Sequence, residues 1–432
     1  MFPQANIYSS AIRPGDAASA AIGIERLSFA CLFLFAFATP WSEAGLSVGG
    51  IEVNRWFGLA AFLLALLCTR YQARANRFGD LHYWMFAFAG WSIASLLWTV
   101  DREETLQRAG TYIQLLLLVW VIGVLCSSES RLTRLLQAYI LGACVCSVGT
   151  IANLLTGRTM DTLEDMQGAG ADRYTINGVN PNDLGVMLAL SIPMTLYLLV
   201  RRQGGRWASA LCWVQLTLAV TGILLTGSRT SALAAAGAFL MLPAVSARFS
   251  RWKKAAMAIC VAAIVTTAIA MLPADTWHRF LDLGDEISRG TMTHRTQIWV
   301  ASSVIFREHP LVGVGSGAHP LAVASLLGRP LVAHNTFFSA LAELGVFGEL
   351  LLLGLLTAAF YCALKMPRPA RNLWGVLLVA WCIAASASTL EYRKVTWLLL
   401  GLLAAHAQLG RKEEQEIQSR TTHSVCVASP VF

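Results

Sequence analysis

Long apolar blocks alternate with short polar stretches along most of this 432-residue chain. The apolar blocks are 27–45, 54–71, 81–98, 109–126, 133–156, 183–200, 206–226, 229–247, 254–272, 335–364, 371–390 and 394–409. A helix needs about 20 apolar residues to cross a hydrocarbon core roughly 30 Å thick, and most of these blocks approach or exceed that length. Lipid offers no partners to backbone N–H and C=O groups, so each block is expected to satisfy its own as a helix. The pattern predicts an all-α polytopic membrane protein with about twelve transmembrane helices. Two connections are longer than the rest, residues 157–182 and 273–334, and both fall on the outer side of the predicted topology. The second contains helix-like pieces such as "TQIWVASSVIFREH" and a Gly-rich turn, "GVGSGAHP". The expected organisation is an inner N-terminal segment, 1–26, then nine helices over 27–272. A large outer loop, 273–334, three more helices over 335–409 and a polar tail, 410–432, complete it.

Composition supports the membrane reading. The chain is 56% hydrophobic and 13% charged, against about 25% charged in soluble domains, and its mean hydropathy is +0.57. The formal charge of +8 is explained by where the basic residues fall. If the N-terminus is cytoplasmic, 20 of the 33 Lys and Arg lie on the inner side, and every short inner loop is basic. The excess therefore reads as an orientation signal rather than a nucleic-acid surface, with both termini inside. Residues 1–26 lack the basic–apolar–small layout of a secretory signal and are expected to stay in the mature chain. Nine of the ten cysteines lie in or at the edges of spans, and Cys426 lies in the tail. They read as small apolar residues rather than a disulfide framework.

The polar residues that break the pattern are the candidates for chemistry. In "LLTGSRTSALAAAG" Arg229 stands at an outer helix start, against the positive-inside trend. It is either an interfacial arginine snorkelling to headgroups or an anion site at a helix N-terminus, with Gly227 allowing close approach. In "RGTMTHRTQIWVAS" Arg295 opens an amphipathic helix with Ile298, Trp299 and Ile305 inward, and Arg289 lies six residues before it. The stretch is a surface helix alone and a two-arginine diphosphate clamp with Arg229. His334 and Asn335 join the outer loop to a span, where an imidazole titrating near about 6.5 could take a proton from a hydroxyl and Asn335 could cap the helix or orient the ring. Glu343 would lie about 13 Å deeper along a straight helix, out of phase with His334, pairing with a buried cation or hydroxyl, with Gly345 and Gly348 permitting close helix packing. In "NGVNPNDLG", Asn182 or Asp183 reads as a cap near Pro181 or as a polar wall for sugar. No HExxH, paired Cys motif or DxD-like pair appears, so neither metal nor cofactor is expected. "GVGSG" follows no predicted strand, which weakens a phosphate-loop reading. Spans nearly free of ionisable groups speak against an ion-coupled transporter.

With "LTGSRTS" (225–231), "HRTQIW" (294–299), "HPLVGVGSG" (309–317), "HNTFFSALAELGVFG" (334–348), "NPNDLG" and "LEYRKVTWLLLGLL" (390–403), the chain resembles the O-antigen ligase and polymerase superfamily of bacterial envelope glycosyltransferases. The resemblance implies a GT-C-like, metal-independent fold in the inner membrane, with its site on the periplasmic face. It implies a donor glycan on undecaprenyl diphosphate and, in the ligase branch, lipid A–core as acceptor. The family's functional arginines fall on Arg229 and Arg295 and its histidine on His334. Arg289 matches less well, and Ala333 stands where a polar residue often precedes the histidine. A polymerase, a protein-directed oligosaccharyltransferase and a lipid-linked glycan transporter are the alternatives.

Overall fold

The structure is a computed structural model and describes residues 14–42, 47–48, 51–72, 78–158, 173–176, 179–201, 205–241, 250–270, 276 and 295–427. Among them the chain forms fourteen α-helices. The first nine are α1 (Pro14–Ala38), α2 (Val53–Gln72), α3 (Asp80–Ala94), α4 (Arg102–Leu125), α5 (Glu129–Leu155), α6 (Pro181–Arg201), α7 (Gly205–Leu225), α8 (Arg229–Ala238) and α9 (Arg251–Ala270). Two short ones, α10 (Arg295–Glu308) and α11 (His319–Leu327), follow, and then α12 (Thr336–Leu364), α13 (Arg368–Ala385) and α14 (Lys394–Val427). The only other ladder is a two-residue antiparallel pair among the described residues, Ser47–Val48 with Ile51–Glu52.

Among the described residues every apolar block overlaps a helix, and the fold is all-α and polytopic. Among the described residues six segments are long and apolar enough to cross a membrane: Ala21–Trp41, Arg102–Leu125, Glu129–Leu155, Pro181–Arg201, Gly205–Leu225 and Thr336–Leu364. Large apolar side chains remain exposed along these helices, including Leu34, Leu141 and Leu350. On a water-soluble domain such a surface would be a liability; facing lipid it carries no cost. Helix α6 is the most enclosed and packs on α5, α7, α8 and α13. Its internal Pro193 removes one backbone donor, and a buried knot lies beside it. Gln215 donates to Ser191 Oγ (2.8 Å) and accepts from Thr195 (2.7 Å).

Helix α12 is not straight. Gly345 stands at φ 66° and ψ −167°, which breaks the helix between Leu344 and Val346. The Gly-rich segment 310–317 fills the break. Val314 and Gly315 donate to the carbonyls of Ala342 (3.0 Å) and Glu343 (2.8 Å), and Val346 donates to Pro310 (2.9 Å). Trp91 and Trp98 of the α3 end close it from the other side, donating to Leu344 (3.1 Å) and Val312 (3.0 Å). A Cβ at Gly313, itself at φ 67°, would sit 2.3 Å from the Glu343 carbonyl carbon. Gly345 therefore makes a break and a backbone–backbone approach, not the straight-helix packing expected from sequence. Gly348 likewise meets Leu344 of its own helix.

The amides of "GVGSG" are all in use. Ser316 donates to Ser95 Oγ (2.9 Å) and Gly317 to Glu343 Oε2 (2.7 Å), beside the two carbonyl bonds above. This turn is a structural clasp and offers no free N–H row to a phosphate.

Candidate active site

The head of α12 carries the most unusual backbone in the described chain. His334, at φ 46°, is the one non-glycine residue with positive φ among the described residues. Its neighbours hold it there. Trp299 stacks on Phe338 with ring centroids 5.6 Å apart, and its indole N–H donates to the Ala333 carbonyl (3.1 Å). On the other side Asn335 caps α12, its Oδ1 accepting from Phe337 (2.9 Å) and Phe338 (3.1 Å). The Asn335 amide donates to the Ser386 carbonyl (2.9 Å). A left-handed residue costs of order 1–3 kcal/mol and persists where its surroundings over-determine it. His334 is half-buried and outside the helix, so the helical phase between it and Glu343 assumed from sequence does not apply.

The loop between α13 and α14 docks on this head. Thr336 Oγ1 donates to the Ser388 carbonyl (2.8 Å) and accepts from the Leu390 amide (2.9 Å), while Ser339 donates to Glu391 Oε1 (3.0 Å). Arg295, the first residue of α10, donates to the Ala387 carbonyl of the same loop (3.1 Å). Arg295 and the α12 head that follows His334 are thus both seated on residues 386–391.

The same loop continues to the starts of α6 and α8. Arg393 donates to Asp183 Oδ2 (3.0 Å), and Arg173, 2% exposed, donates to Asn182 Oδ1 (2.7 Å) and to the Thr226 carbonyl (2.9 Å). Ser231 Oγ reaches the Asn182 carbonyl (3.4 Å), and the missing side chain at Gly185 lets α6 lie against Ser231. Two residues before Ser231, Arg229 begins α8 behind its N-cap Ser228, with Gly227 at φ 61°. The cap of α6 is Asn180, whose Oδ1 takes the Asn182 amide (2.8 Å). Asn182 and Asp183 are not the caps expected from sequence and instead each hold an arginine.

Below this layer lies a buried ionic cluster. The Arg108 guanidinium stacks 3.3 Å from the centre of the Tyr392 ring and lies within electrostatic reach of Glu343 and Glu391. Burial pushes the Glu391 carboxyl up to about 7; the Glu343 charge adds to the push, and Arg108 opposes it. Glu343 accepts a hydrogen bond from the backbone amide of Gly317 (2.7 Å) and faces Arg108, so of the cation or hydroxyl expected from sequence it is the cation that the structure places near it. His319 is a core residue. Burial pulls its pKa down to about 4, against the Leu331 carbonyl, so the neutral ring donates from Nδ1 to that carbonyl (3.1 Å) and takes the Ser302 hydroxyl at Nε2 (2.8 Å).

Arg295 and Asn335 therefore meet on the α13–α14 loop, Asn182 is tied through Arg173 to the turn before α8, and His334 and Arg229 are chain neighbours of these contacts, with Glu343 beneath. Arg289 lies outside the described residues. Sequence reasoning passed over Arg108, Arg173 and Arg393. All three fall in or beside connections that the predicted topology places on the outer side, where arginine runs against the positive-inside trend, the signal that singled out Arg229. The layer can bind anions through several guanidinium forks and presents one imidazole at a fixed backbone position.

Residues 214–353 match the family described as O-antigen ligase, a stretch that includes Arg229, Arg295, His334 and Glu343. The chain is also 26% identical over 381 residues to the exopolysaccharide production protein ExoQ of Rhizobium meliloti (strain 1021), covering 83% of this chain and 79% of the relative. The two matches agree with the polytopic helical fold, and by them the chain is similar to the O-antigen ligase and polymerase superfamily.

Proposed function

We propose that this protein is an inverting, metal-independent glycosyltransferase of the bacterial inner membrane. It moves O-antigen glycan from undecaprenyl diphosphate to lipid A–core on the periplasmic face and so completes lipopolysaccharide. The observation that carries this reading is the left-handed His334, held between Trp299 and Asn335, whose amide docks on the same α13–α14 loop that Arg295 binds. In the proposed reaction the acceptor hydroxyl oxygen bonds to the anomeric carbon as that carbon's bond to the diphosphate oxygen breaks. The electron pair leaves with undecaprenyl diphosphate, and the hydroxyl proton passes to the His334 imidazole. Arg229 and Arg295 hold the diphosphate as charge builds on it, which is often the largest catalytic contribution.

An apolar cavity of about 380 Å³ supports a lipid-linked donor. Leu32, Phe35, Leu59 and Leu118 line it, together with Arg55 and Lys394. Lys394 pairs with Glu52 and follows Arg393 directly, so an isoprenoid tail in this cavity would bring its diphosphate toward the arginines. A second reading has one observation in its favour: the similar ExoQ is named for exopolysaccharide production. On that reading the acceptor is another carrier-linked glycan and the protein is a polymerase.

Purified full-length protein in lipid, given undecaprenyl-diphosphate glycan with EDTA, separates these readings. Transfer that appears only when lipid A–core is added is the expected result. Longer carrier-linked chains in its absence would make the protein a polymerase, and no transfer in either tube would leave transport of the lipid-linked glycan as the better account.

A further inference from the structure

A cavity of about 490 Å³ opens at the end of the bundle opposite the arginine layer. It lies where the start of α3, the start of α5 and the ends of α6 and α12 meet the second half of α14's apolar stretch. Two histidines in its wall are almost fully buried, His82 at 4% and His406 at 6% exposure. Each has its tautomer fixed by a donor that can only donate. The Gly79 amide donates to His82 Nδ1 (3.2 Å), and the Trp374 indole donates to His406 Nδ1 (2.9 Å). Both neutral rings therefore carry their proton on Nε2, which has no hydrogen bond of its own among the described residues. The wall thus supplies two N–H donors on buried histidines.

Its charges agree. Arg201 is occupied by Glu129. Among the described lining residues that leaves Lys365 and Arg411 against Asp80, one net positive charge. A phosphodiester carries one negative charge and only acceptor oxygens, so it matches both the donors and the balance. The lining also belongs to a lipid rather than a soluble ion. Ala358, Tyr361 and Pro369 form apolar wall, Tyr361 is 57% exposed on α12, and Lys365 lies 4.2 Å from the centre of its ring. Leu364 beside them is 63% exposed. Aromatic and basic residues at a helix end mark the interface, where headgroups sit.

We propose that this cavity binds the phosphodiester headgroup of an anionic phospholipid, with Lys365 and Arg411 as its cations and His82 and His406 as its buried donors. The proposal is independent of the transfer reaction, since it uses no residue of the arginine layer.

Native mass spectrometry of the full-length protein, reconstituted with phosphatidylglycerol or phosphatidylcholine and then stripped with detergent, tests it. Thermal melting with inorganic phosphate alone runs in parallel. Wild type is expected to retain phosphatidylglycerol in preference to phosphatidylcholine. Lys365→Ala or Arg411→Ala should each weaken retention about fivefold, and the pair about thirtyfold. Arg251→Ala/Lys254→Ala, basic changes on α9 outside the cavity, should leave retention unchanged. Each variant's melting curve shows whether it is folded, and Lys365→Gln and Arg411→Gln replace any that is not. Equal retention of both lipids, or an equal loss in the α9 variant, would overturn the proposal. Stabilisation by inorganic phosphate without lipid selectivity would assign the cavity to a free anion instead.

Discussion

Arg229→Ala is expected to reduce glycan transfer by at least about 100- to 1000-fold, the usual loss when a preorganised donor to developing charge is removed. The expectation follows from position. Arg229 begins α8 at a capped helix start, beside Gly227 and within the layer that Asn182, Asp183, Arg173 and Arg393 tie together. A dianionic leaving group gathers charge as its bond to the sugar breaks, so a guanidinium there contributes more in the transition state than in the bound donor. The loss should therefore appear in kcat rather than only in KM. Arg229→Lys keeps the charge but loses the fork, and should recover only part of the rate. Steady-state transfer assays with a melting curve for each variant check this. Wild-type kcat in folded Arg229→Ala would remove the arginine from the mechanism.

His334→Asn separates shape from chemistry. Asparagine accepts a left-handed backbone more readily than other non-glycine residues, so the turn between Trp299 and the Asn335 cap should survive the change. The imidazole is lost, and general-base assistance contributes about 100- to 10,000-fold. The variant is expected to fold with little change in melting temperature and to lose transfer on that scale, though no more than Arg229→Ala. His334→Gly relieves the backbone and should be equally inactive. Near-normal transfer by His334→Asn would mean that the turn matters and the ring does not.

The sequence reading was strongest where physics is local. Apolar length located the helices, because lipid leaves a spanning segment few alternatives. Residues at helix starts that defied the charge trend pointed to Arg229, and the break between loop and span pointed to His334 and Asn335. Long-range relations were out of reach. Nothing in "GVGSG" announces that its amides are taken by Ala342, Glu343 and Ser95, because those bonds join segments far apart in sequence. The same holds for Arg393 with Asp183, 210 residues apart. The straight-helix assumption for Glu343 failed for a related reason. Gly345 in an apolar run looks like a packing residue until the segment that fills its break is known.

The proposed reaction is a single direct displacement at the anomeric carbon. The most direct measurement is the anomeric configuration of the new glycosidic bond, read by NMR from product made with a donor of known configuration. Inversion is the predicted result. Retention of the donor's configuration would require a covalent glycosyl intermediate and would contradict the roles given to Arg229, Arg295 and His334.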